Sequence, residues 1–152
     1  MVEKFWRGFT NGGYVGHGET YVTENPVKFP HESSDVLWWS KGGVLRCQSP
    51  ERIKFLREII ENAPTSLRPI PLFTWMPFSC IGRDHEYYLG YLNDTQPGSI
   101  VIDPPTDALY KVEVIDTWNM TIATLEKKFS GHSLIELPFK AYIAVRICKF
   151  KP

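Results

Sequence analysis

Two periodicities divide the chain. Up to about residue 71 the apolar positions either recur at helical spacing or stand among glycines and prolines, and from about residue 72 they alternate. A short helix is expected over residues 2–11, carrying Phe5, Trp6 and Phe9 and stopped by Asn11-Gly12-Gly13. Gly13-Tyr-Val-Gly-His-Gly-Glu-Thr-Tyr21 reads as a short extended segment, unusually rich in glycine. Residues 23–48 hold Pro26, Pro30 and Gly42-Gly43 and read as a long irregular loop, a kind of segment that more often carries function than not. The clearest helix follows. Ser49 is expected as its N-cap with Pro50 in the first helical position, and Ile53, Leu56 and Ile60 form an apolar stripe widened by Phe55 and Ile59. Asn62-Ala-Pro64 ends it, and the stripe implies packing on a sheet.

Beyond residue 72, six short runs rich in Val, Ile, Tyr and Thr are predicted as strands: Glu86–Leu92, Ser99–Ile102, Ala108–Asp116, Thr121–Leu125, Leu134–Leu137 and Ala141–Phe150. Turn residues separate them, which suggests a small antiparallel β-sandwich. In the last run Ile143, Val145 and Ile147 share one face, expected in the core, while Tyr142, Ala144, Arg146 and Cys148 share a mixed one. The predicted class is α+β, with a helix-strand-helix segment over 1–71 and a β-sandwich over 72–152.

Composition narrows the function. The 152 residues suit one ordinary domain and exclude a complete (β/α)₈ barrel, which takes roughly 250 residues. Seventeen basic and seventeen acidic residues cancel, so bulk charge gives no case for nucleic acid or an anionic membrane. Cys47, Cys80 and Cys148 are too sparse for a disulfide framework or a structural zinc site, and none stands in a context that would activate a thiol. The N-terminal residues lack an uninterrupted apolar stretch, and no run suits a membrane span, so the expectation for the chain as written is cytoplasmic, with no cofactor and no metal. The composition is rich in aromatics, at 14% with five Trp; Trp and Tyr exposed in a groove would suit flat, partly apolar ligands such as sugars.

The densest chemistry-bearing segment is His17-Gly-Glu19-Thr-Tyr21. At strand spacing the imidazole, carboxylate and phenol point to one face. They can hydrogen-bond sugar hydroxyls or serve acid/base chemistry; equally, His17 and Glu19 can bond to each other or to nearby backbone. Trp38 and Trp39 offer a stacking platform, or one of them staples the loop onto the helix that follows. Asp116-Thr-Trp-Asn119 reads as a turn capped by side-chain hydrogen bonds, with Trp118 filling the end of the sandwich. Arg83-Asp-His-Glu86 contains an acid/base cluster but sits in a turn, where a solvated charge run is the default.

Phe5-Trp-Arg-Gly-Phe9, Gly12–Tyr21, Leu37-Trp-Trp-Ser-Lys-Gly-Gly43, Ser49–Arg57 and Val114-Ile-Asp-Thr-Trp-Asn-Met-Thr121 together resemble the C-terminal end of bacterial apiosidase-like putative glycoside hydrolases. The resemblance covers essentially the whole chain. It implies that Gly13–Tyr21 is the last strand of a (β/α)₈ barrel, that residues 2–11 and Ser49–Asn62 are its flanking helices, and that the remainder is an accessory β-sandwich. His17, Glu19, Tyr21, Trp38 and Trp39 would then lie at the barrel mouth and contact carbohydrate. The resemblance implies no catalysis by the chain alone, because glycoside hydrolysis needs two carboxylates across the scissile bond and Glu19 supplies one. A non-catalytic carbohydrate-binding module is the alternative, and a purely structural domain the third reading. A lone barrel strand would carry unpaired edges, so either pairing with the sandwich sheet, self-association as a homo-oligomer or docking with the rest of a barrel is expected.

Overall fold

The computed structural model describes residues 1–16, 48–71 and 78–151. Two helices, α1 (Val2–Thr10) and α2 (Ser49–Glu61), precede eight strands among the described residues. The strands are β1 (Arg68–Pro69), β2 (Ser79–Arg83), β3 (Tyr87–Tyr91), β4 (Ser99–Ile102), β5 (Tyr110–Asp116), β6 (Thr121–Thr124), β7 (Ser133–Glu136) and β8 (Ile143–Lys149). Six of them form an antiparallel sheet in the order β1-β2-β3-β8-β5-β6, and β4 pairs with β7 in a second sheet. The fold is α+β and sandwich-like, as predicted. Five of the six predicted runs contain a strand, β4 with its predicted bounds, and the run Leu134–Leu137 overlaps β7, which begins one residue earlier at Ser133. The short β1 and β2 were not anticipated.

Asn11 closes α1, and Gly12 follows with φ of +78°, a left-handed conformation that suits glycine. Ser49 does not cap α2. The cap is Gln48 and makes no side-chain cap bond, so Ser49 is the first helical residue and Pro50 the second, still inside the first turn where a missing N–H costs nothing. Asn62 ends the helix with its backbone N–H on the Glu58 carbonyl, where its side-chain Nδ2 also donates, at 2.7 Å.

The large sheet is covered on both faces. Toward the small sheet, Tyr88, Val112, Ile143, Val145 and Ile147 pack with Ile100, Ile102 and Ile135. Toward the helices, Ile81, Leu89, Tyr91, Ile115 and Ala144 pack against Val2, Trp6, Leu56 and Ile59. The two faces of β8 separate as its alternation predicted. Being sandwiched also explains β3, Tyr-Tyr-Leu-Gly-Tyr, where every residue is buried: no solvated side remains for a polar position.

Gly82 in β2 is a point of close approach. A Cβ placed there would lie 2.5 Å from the Tyr87 carbonyl oxygen, a backbone atom that cannot swing away. Gly82→Ala is therefore expected to cost about 1–3 kcal/mol, seen as a lower denaturation midpoint. An unchanged midpoint would mean that the β2–β3 hairpin relaxes freely.

Candidate functional site

The helix-side face of the large sheet changes character along its length. Where α1 and α2 cover it, it is apolar; past the end of α2 it becomes charged. Register creates this second half. Glu113 on β5 is opposite Arg146 on β8, and Lys111 is opposite Cys148, which is opposite Tyr87 on β3. Side chains thirty or more positions apart in sequence thus become cross-strand neighbours.

Glu113 is the buried centre of this patch, with 5% of its surface exposed. Its Oε2 accepts from Arg146 Nε at 2.5 Å and its Oε1 from Lys111 Nζ at 2.7 Å, with Thr124 Oγ1 at 3.4 Å. Burial pushes its carboxyl upward, but the bonds from Lys111 and Arg146 outweigh it and hold the group below the usual glutamate range. A cavity of about 370 Å³ opens here, reaching Asn62 and Pro64 at the end of α2. Arg83, Lys111, Arg146, Lys149 and Lys151 bring five cationic side chains to its lining, against two carboxylates, Glu86 and Glu113. Arg83 and Glu86 pair with each other. Tyr87 also lines the cavity; its hydroxyl is buried and makes no hydrogen bond of good geometry.

Asp116 organises the turn after β5 as the sequence suggested. It accepts from the backbone N–H groups of Trp118 and Asn119, and from Asn119 Nδ2 at 2.8 Å. These bonds outweigh burial and hold its pKa below the usual aspartate range. Trp118, however, does not fill the sandwich end: it is 48% exposed. It stacks on Tyr142 with ring centroids 5.6 Å apart, and the Arg52 guanidinium lies 4.3 Å from its ring. Arg52 Nε also donates to the Trp118 carbonyl at 2.8 Å, so this residue braces the first turns of α2 against the β5–β6 turn. With both Tyr142 and Arg52 engaged, the indole is a clasp and not a free platform.

The run Arg83-Asp-His-Glu86 is more ordered than a solvated charge run. His85 sits at φ of +61°, and its Nδ1 lies 3.0 Å from Asp107 Oδ2, tying the β2–β3 turn to the loop before β5. The Tyr88 hydroxyl donates to Asp84 Oδ1 at 2.6 Å, which lowers the Asp84 pKa. These bonds satisfy the cluster internally. Cys80 is pushed up to about 12 by burial and Cys148 is also raised, so both described thiols are poor nucleophiles, in keeping with the sequence. No group of three or more potential metal ligands occurs among the described residues, and no helix among them is long and apolar enough to cross a membrane.

His17, Glu19, Tyr21, Trp38 and Trp39 lie outside the described residues, as does Cys47. The described charged patch was not singled out from sequence. Its available signal was the mixed face of β8, with Arg146 and Cys148 alternating against Val145 and Ile147.

Residues 75–148 match the model of a family described as a domain of unknown function, DUF5605. No curated protein matches the chain. Among solved structures the chain is similar to a putative glycoside hydrolase from Bacteroides vulgatus ATCC 8482, with a TM-score of 0.71 and 27% sequence identity. That similarity covers 94% of this chain but 30% of the other, so the chain spans less than a third of that relative's length.

Proposed function

We propose that the chain is a carbohydrate-contacting, non-catalytic part of a glycoside hydrolase of the apiosidase-like kind. The observation that carries this reading is the similarity to a glycoside-hydrolase structure across 94% of the chain. In this reading His17, Glu19 and Tyr21 hydrogen-bond sugar hydroxyls and Trp38 and Trp39 supply stacking surface. Glu19 orients substrate. Hydrolysis by either stereochemical route uses two carboxylates flanking the scissile bond, and the proposed sugar-contacting set includes one. Turnover therefore requires a second carboxylate from a catalytic portion outside this set.

The test pairs binding with turnover. Calorimetric titration with neutral oligosaccharides is expected to show binding that weakens about tenfold or more in Glu19→Gln, as loss of a hydrogen bond to a charged group does. Chromogenic aryl glycosides are expected to remain uncleaved. Turnover that disappears in Glu19→Gln would overturn the non-catalytic assignment, and absence of binding to every oligosaccharide tried would overturn the carbohydrate reading.

A further inference from the structure

We infer that the cavity bounded by β3, β5, β8 and the end of α2 is a binding site for the carboxylate of an acidic sugar. This inference rests on the carbohydrate reading for the sugar and on the cavity for the charge.

Nearly every polar group that the cavity leaves unused is a donor. Glu86 and Glu113, the carboxylates in its lining, are already taken by Arg83 and by Lys111 with Arg146. Arg146 gives its Nε to Glu113, and a guanidinium carries further N–H groups in a planar fork that matches a carboxylate. Lys111 spends one of three ammonium protons on Glu113. Lys149 and Lys151 have no ion-pair partner among the described residues. The α2 carbonyls nearest the cavity offer little opposition, because the Asn62 and Ala63 backbone N–H groups already cap Glu58 and Ile60.

Tyr87 supplies the second, independent observation. Tyr87 is 4% exposed, yet its hydroxyl makes no hydrogen bond of good geometry: the Arg146 guanidinium beside it interacts with the oxygen without completing one. A buried hydroxyl without a well-formed hydrogen bond costs stability, so such a group calls for a ligand or another explanation. Burial pushes the Tyr87 pKa up, which keeps it a protonated donor at neutral pH. A ligand completing this site must therefore accept hydrogen bonds and carry negative charge.

The test uses isothermal titration of the whole chain at low ionic strength with sodium glucuronate, glucose and sodium sulfate. Glucuronate is expected to bind, with glucose undetectable at the same concentrations and sulfate weaker. Tyr87→Phe is expected to weaken glucuronate by about tenfold or more while leaving the urea midpoint unchanged or raised, since the lost hydroxyl makes no well-formed hydrogen bond. Lys149→Ala, exposed and remote from the core, should weaken it by a smaller factor. Equal affinity for glucose, equal affinity for sulfate, or wild-type affinity in Tyr87→Phe would each overturn the assignment. Neutral oligosaccharides separate the two proposals. If they bind while glucuronate does not, this site falls and the carbohydrate reading stands; if nothing binds, both fall.

Discussion

Trp6→Ala is expected to remove about 3–5 kcal/mol of stability, the range for truncating a fully buried large aromatic. Trp6 has no exposed surface, and its indole stacks on Tyr91 with centroids 5.6 Å apart. It stands in the cluster that joins α1 and α2 to the sheet through Leu56, Ile59, Leu89 and Ala144, so its removal opens a cavity between helices and sheet. Trp6→Phe should cost distinctly less. It keeps part of the aromatic volume and also removes the indole Nε1, which is buried without a partner. Urea denaturation followed by far-ultraviolet circular dichroism would check both: a large midpoint shift for alanine, a smaller one for phenylalanine. A cost for Trp6→Ala below about 1 kcal/mol would mean that α1 contributes little to the folded core.

The same residue shows what a pattern of apolar positions can reveal. Phe5, Trp6 and Phe9 at helical spacing announced the helix, though its buried positions are Val2, Trp6 and Thr10 with Phe5 and Phe9 half-buried, and the alternation of Ile143, Val145 and Ile147 announced the two faces of β8. Where two layers cover a sheet the alternation disappears. In β2, Cys80 and Ile81 are adjacent and both buried, each facing a different core, so no period of two marks the strand. β1 is two residues long and ends in proline, tolerable only because it is the edge strand of its sheet. Trp118 looked like core because it is large and apolar, but its placement depends on Arg52, sixty-six positions earlier, coming over its ring. The charged cavity was hidden for a related reason. Glu113 reads as an ordinary polar position until strand register sets it against Arg146, and local spacing carries no record of that register.

Arg146→Met is expected to cost about 3 kcal/mol at neutral pH, the low end of the roughly 3–5 kcal/mol for breaking a buried ion pair. The low end applies because Lys111 remains bonded to Glu113. Both paired groups are sheltered, with 17% of the Arg146 side chain and 7% of the Glu113 side chain exposed. The pH dependence distinguishes lost charge pairing from lost packing. Glu113 is held below its reference value of 4.5 in the folded chain, so the stability it contributes is fully present above that value. That contribution is lost as pH falls through the lower folded value. In Arg146→Met burial meets less opposition, the Glu113 pKa rises, and the carboxylate becomes neutral at higher pH. The gap between wild type and variant should therefore narrow as pH is lowered from 7 toward the acid range, whereas a purely steric loss would stay constant. The double variant Glu113→Leu with Arg146→Met should recover much of the single-variant loss, because removing both partners leaves no uncompensated buried charge. If the gap is independent of pH and the double variant is no more stable than Arg146→Met, then Arg146 acts through the packing of its aliphatic stem and not through its bond to Glu113.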